Sequence, residues 1–134
     1  MNSRAKTAPS TDDLETMAEE ALATIPESLR RHVRNLVIRV EDFPDGETAE
    51  EMDLETEFDL LGLYRGVDLA HKGVNDAGAV PDMVFLYRRP ILDYWCDSGE
   101  DLFHVVRHVL IHEIGHHFGL SDDDMEALEA QVPE

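Results

Sequence analysis

Apolar residues fall three or four apart from early in the chain. Leu14, Met17, Ala18, Ala21, Leu22 and Ile25 follow an N-cap cluster at Ser10, Thr11, Asp12 and Asp13, which predicts an opening helix. Pro26 interrupts the period and opens a second helical turn reaching His32. The period then shortens: Leu36, Ile38 and Val40, with Val37 between them, predict a strand. Residues 41–57 are dense in Glu and Asp and include Pro44 and Gly46, which predicts an acidic loop with a short helix over 48–54. Residues 60–69 are apolar around Gly62 and Gly66, fitting a short strand or a turn, and the Gly- and Asn-containing stretch 72–80 predicts a loop. The run from Met83 to Tyr87 is the densest β-prone segment, closed by Pro90, with a short helix expected through Trp95. Ser98 and Asp101 have capping-box spacing, and Leu102, Val105, Val106, Val109, Leu110 and Phe118 supply the stripe of a long helix that ends at Gly119. Ser121 and Asp124 repeat the capping box and open a last helix to about Ala130.

Residues 1–10 are polar and aperiodic, so they are expected to form a disordered tail before one domain spanning 11–134. Helices at both ends flank two or three strands, and their alternation is too irregular for a parallel α/β fold. The expected class is α+β, with helices packed on a small, mostly antiparallel sheet.

Charge narrows the range of partners. Thirty acidic residues against 11 basic ones leave a formal net charge of -19. Such a field repels nucleic acid and anionic lipid, and it attracts metal cations and basic peptides. No apolar run approaches the roughly 20 residues needed to span a bilayer. The first ten residues lack the apolar stretch of a secretory signal. The single cysteine, Cys96, rules out an internal disulfide and fits a reducing compartment. The expectation is a soluble cytoplasmic protein with no nucleic-acid or membrane partner. Its oligomeric state is left open.

The chemistry concentrates in His112-Glu113-Ile114-Gly115-His116-His117-Phe118-Gly119-Leu120-Ser121-Asp122. On a helix, residues four apart share a face with Cβ atoms about 5–6 Å apart, so His112 and His116 can meet one Zn²⁺. Glu113 is rotated about 100° from His112. That places it beside the metal, where a base takes a proton from metal-bound water. A catalytic zinc has three protein ligands and one open position. Gly119 lets the chain turn sharply, and Asp122 can return as an oxygen ligand. Asp123 and Asp124, and less strongly Glu126 and Glu129, are alternatives for that third position. The five-residue pattern alone would arise in roughly one shuffled chain of this composition in 25. Requiring Gly119 and Asp122 as well lowers that to roughly a few in ten thousand.

These residues carry a resemblance. The signature H-E-x-x-H-x-x-G-x-x-D resembles that of zincin metalloproteases with Asp as third ligand. The stretches Leu61-Gly62-Leu63-Tyr64-Arg65-Gly66, Pro81 to Pro90 and His112 to Asp124 are similar to a family of small bacterial "minimal metalloproteases". The resemblance implies a compact zincin-like domain whose active-site helix lies near the C-terminus. It also implies one zinc ion on His112, His116 and Asp122, with Glu113 as general base. A conventional methionine turn does not fit, because the methionine downstream, Met125, stands only three positions past Asp122.

Other residues have plainer readings. His104 and His108 continue the four-residue spacing backward and are expected to pack locally rather than hold a second metal. His117 points about 100° away from His116 and is expected near the core or behind the ligands. Tyr64 and Tyr87 read as strand aromatics, and Cys96 as a small buried side chain. The strand at Met83 to Tyr87 is a candidate edge for pairing with an extended substrate. The functional expectation is a zinc metallopeptidase acting on a peptide or small protein, with basic segments suited to the acidic field. The rivals are a zincin scaffold that binds zinc or a partner without turnover, and a metal-free interaction module.

Overall fold

The computed structural model describes residues 7–33, 35–66 and 82–131. The expected loop at 72–80 lies outside these residues, as do the first six positions of the expected tail. Within that tail, Pro9 is tied to the fold: its carbonyl accepts from Arg88 Nε at 2.6 Å.

Helix α1 spans Thr11–Ala23 and starts where expected, because Ser10 and Asp13 close a reciprocal capping box. Its buried stripe is Leu14, Ala18 and Ala21, spaced four and three apart. A short helix α2 (Glu27–Arg30) and one 3-10 turn (Arg31–Val33) follow Pro26. Strand β1 spans Val37–Glu41. Helix α3 (Gly46–Glu51) begins earlier than expected, because the Asp45 carboxylate accepts from the Thr48 N–H at 2.7 Å and sets the cap there. Strands β2 (Gly62–Arg65) and β3 (Met83–Tyr87) complete the sheet.

The sheet order is β1-β3-β2. It is mixed: β1 and β3 are parallel and β2 and β3 antiparallel, one pair of each sense where a mostly antiparallel sheet was expected. Met83 to Tyr87 was expected as an edge and instead lies between β1 and β2, which are the edges among the described residues. Val84 and Leu86 alternate onto the buried face beside Ile38.

Helix α4 spans Arg88–Ser98 and α5 spans Leu102–His117. The cap of α5 is Asp101 rather than Ser98. Asp101 accepts from the His104 N–H at 3.2 Å, while Ser98 closes α4 ahead of Gly99, which sits at φ 75°. Cys96 is exposed on α4, not buried as expected. Helix α5 forms the centre of the core, burying Leu102, Val105, Val106, Val109, Leu110, Ile111 and Ile114. Burial of each such side chain is worth about 1.5–3 kcal/mol.

The turn after α5 is set by Gly119 at φ 77°, with Leu120 N–H bonded to Gly115 O at 2.9 Å and Gly119 N–H to His116 O at 3.1 Å. Helix α6 (Asp122–Ala130) then starts on the expected Ser121–Asp124 capping box. It runs back along α5. Met125 is fully buried against Gly115, where a Cβ would stand 2.5 Å from its sulfur. Further on, Arg107 of α5 donates to Glu129 O and Gln131 O, both at 3.0 Å, and to Thr24 Oγ1 at 2.8 Å. Arg107 is only 3% exposed. Its charge meets the carbonyl end of α6, where the helix dipole favours a cation. Arg107→Met is expected to leave those carbonyls without their donor and to cost about 2–4 kcal/mol in urea unfolding. A loss under about 0.5 kcal/mol would show that water replaces the guanidinium without penalty.

Candidate metal centre

Two neighbours fix which face of α5 is available for chemistry. On one flank, β2 lies along the helix. A Cβ on Gly62 would meet Val109 Cγ1 at 2.7 Å, and one on Gly66 would meet His117 Cε1 at 2.5 Å. Between those glycines, the Tyr64 ring stacks on His117 with centroids 4.0 Å apart. Thus β2 covers the stripe Val109, Glu113 and His117. On the other flank α6 covers Gly115 and reaches back to His108. The histidine stripe His108, His112 and His116 lies between them.

Glu113 sits under β2. Burial raises its carboxyl above the ordinary range, while His116 and a hydrogen bond from the Tyr64 backbone N–H lower it. Leu61 O accepts from Tyr87 N–H at 2.9 Å. By the alternation of an antiparallel ladder, Tyr64 therefore turns its N–H away from β3. From that side it lowers the Glu113 carboxyl.

The Tyr64 hydroxyl donates to Asp82 Oδ2 at 2.6 Å, and burial together with that carboxylate pushes its pKa far up. Its proton is engaged there. Tyr87 is buried and raised to about 12, burial being the main cause and Glu41 the next. Both tyrosines act as strand aromatics, as expected, and His117 serves as the stacking partner of Tyr64 rather than as a core residue.

Of the residues singled out for metal binding, His112 and His116 stand on one face, with ring centroids 5.8 Å apart and planes at 88°. His116 is exposed. Asp122 is the first residue of α6 and is exposed to solvent. Among the described residues, the His, Cys, Asp and Glu ligand atoms gathered within 4.8 Å of one another belong to His108, His112 and Glu129. His116 and Asp122 lie outside that group. Glu129 Oε1 is 2.7 Å from His108 Nδ1 and Glu129 Oε2 is 3.0 Å from His112 Nε2. The carboxylate thus accepts an N–H from each imidazole, which fixes both tautomers. Two imidazole nitrogens and one carboxylate are a donor set suited to zinc or a related divalent ion.

Sequence reasoning placed Glu129 among the weaker third-ligand candidates and gave His108 a local packing role. Two signals pointed to their pairing. Asp122, Glu126 and Glu129 share one face of α6, and a lone Arg107 interrupts the apolar stripe beside His108. Only the way α6 packs against α5 turns those signals into a contact.

The family model described as "Zincin-like metallopeptidase" matches residues 33–132. No curated protein matches the chain.

One pH dependence follows from Glu113. A folded-state pKa above the unfolded value of about 4.5 means that the native state holds this proton more tightly. Its contribution is most favourable below that value and is lost as pH rises through the folded pKa. Glu113→Gln removes this loss. The metal-free variant is expected to be more stable than the wild type at pH 7–8, with the gap closing toward pH 4, in parallel urea titrations. Equal stability at every pH would contradict the burial argument.

Proposed function

The chain belongs to the zincin-like metallopeptidases, and on that footing we propose that it hydrolyses peptide bonds with one zinc ion held by His112, His116 and Asp122. Glu113 is the general base in this reading. The observation that carries it is the environment of Glu113: part-buried beside β2, raised in pKa, and one helical position from His112. A base working near neutral pH needs such a raised carboxyl.

The bound ion would supply Lewis-acid polarisation of the scissile carbonyl and a more acidic water. The protein's own groups do the rest. Glu113 takes the proton and returns it to the leaving amine. The open edge of β2 offers Tyr64 N–H and C=O to an extended substrate by strand addition. In this reading the substrate pairs with β2 rather than with β3. The net charge of -19 favours peptides with basic segments. Assembly of this ligand set requires His112 Nε2 to leave Glu129.

A second reading is a zinc-binding scaffold without turnover. It is favoured by the same Glu129 contact, which occupies His112 Nε2. Peptide-library hydrolysis by the zinc-loaded protein separates the two. Glu113→Gln is expected to keep its zinc and to lose about 10²–10⁴ in kcat/KM, the usual contribution of a general base. No cleavage by the wild type, or equal cleavage by Glu113→Gln, would leave the scaffold reading.

A further inference from the structure

We propose that His108, His112 and Glu129 form a second holding site for a divalent transition-metal ion, one that shares His112 with the His112–His116–Asp122 site and is mutually exclusive with it. The proposal concerns metal binding alone and does not depend on peptide hydrolysis.

The three groups already converge. Glu129 spans the two imidazoles, 2.7 Å from His108 Nδ1 and 3.0 Å from His112 Nε2, and all three ligand atoms lie within 4.8 Å of one another. Ligands bonded at about 2.0–2.2 Å in a tetrahedral site stand about 3.3 Å apart. Small side-chain rotations therefore open the hydrogen-bonded cluster enough for an ion. The two imidazole N–H groups now directed at the carboxylate give way to an ion when their protons move to the opposite ring nitrogens, so each imidazole binds in its neutral form. The His108 and His112 rings are 4.0 Å apart and tilted by 33°, and each presents a nitrogen to Glu129 of α6.

The carboxylate is held in place from behind. Arg107 grips the Glu129 carbonyl at 3.0 Å and the Gln131 carbonyl at 3.0 Å, and it precedes His108 on α5. Anchor and ligand thus share one turn of one helix. The side chains of His108, His112 and Glu129 are 43%, 29% and 15% exposed. An ion can enter from solvent, and a fourth position faces water.

Exclusivity follows from His112. Its Nε2 points at Glu129 and can bind only one ion. An ion beside α6 keeps His112 turned away from His116, whose ring lies 5.8 Å off at a right angle. The chain then holds one ion at a time, and Glu129 decides on which side of His112 it sits.

The test is zinc and cobalt titration of the full chain without substrate, followed by calorimetry and cobalt absorption. His116→Ala alters an exposed residue outside the cluster. That variant is expected to bind one ion with affinity within about tenfold of the wild type, since three ligands remain. Adding Glu129→Gln, or separately His108→Ala, to that background is expected to weaken binding by at least about a hundredfold, beyond the loss usual for an outer-shell partner. Thermal unfolding of each metal-free variant checks that it folds, and the zinc-induced rise in Tm gives an independent reading. If His116→Ala binds no ion, or if the double variants bind as tightly as His116→Ala alone, the second site does not exist. Neither result bears on peptide cleavage, which the Glu113→Gln assay decides separately.

Discussion

The site depends on a match of spacing between a strand and a helix. Two residues of extended chain advance about 6.6 Å, and four residues of α-helix about 6.0 Å. Strand β2 uses this match by lying along α5 in the same direction, with Gly62 at Val109, Tyr64 at Glu113 and His117, and Gly66 at His117. Side chains at positions 62 and 66 would hold the strand off the helix. With hydrogens there, the backbone comes close enough for Tyr64 N–H to reach Glu113. The strand also buries that carboxylate, so a single packing relation sets both the position and the raised pKa of the proposed base.

The opposite flank follows from a second close approach. Gly115 admits the Met125 sulfur, and Gly119 supplies the positive φ that turns the chain back. Once Met125 is seated at Gly115, the antiparallel course of α6 carries Glu129 to the level of His108 and His112. Asp122, seven residues earlier, lies about 10 Å back along the α6 axis. The two carboxylates therefore stand at different levels of the histidine stripe. Arg107 locks this arrangement at the far end by satisfying the last carbonyls of α6, so the register of Glu129 does not rest on the exposed histidine contacts alone.

Much of this was legible in local chemistry. Ser10, Ser121 and Gly119 marked helix ends because caps and left-handed turns are decided within a few residues. Met83 to Tyr87 was readable as a strand from its apolar density, and His112, Glu113 and His116 from spacing on one helix. What was not legible depends on contacts distant in sequence. The parallel pairing of β1 with β3 joins residues more than 40 positions apart. That pairing placed β3 between β1 and β2. The same limit applies to Glu129: its place on an α6 face was readable, but the register of α6 against α5 was not. The cap of α5 shows a subtler limit, since Ser98 and Asp101 both suit an N-cap and the choice fell to Gly99, which ends α4 between them.

In the proposed reading, the Tyr64 N–H links substrate binding to the base. Without substrate, it offsets part of the rise that burial imposes on Glu113. An extended peptide added to the open edge of β2 needs that N–H for its own carbonyl. Strand addition therefore withdraws a hydrogen bond from the ionised form of Glu113 while covering it further from water. Both changes raise the carboxyl's proton affinity, making Glu113 a stronger base once the substrate strand is in place. In the proposed reading, the edge strand both aligns the peptide and adjusts the base, and the two effects share one backbone amide.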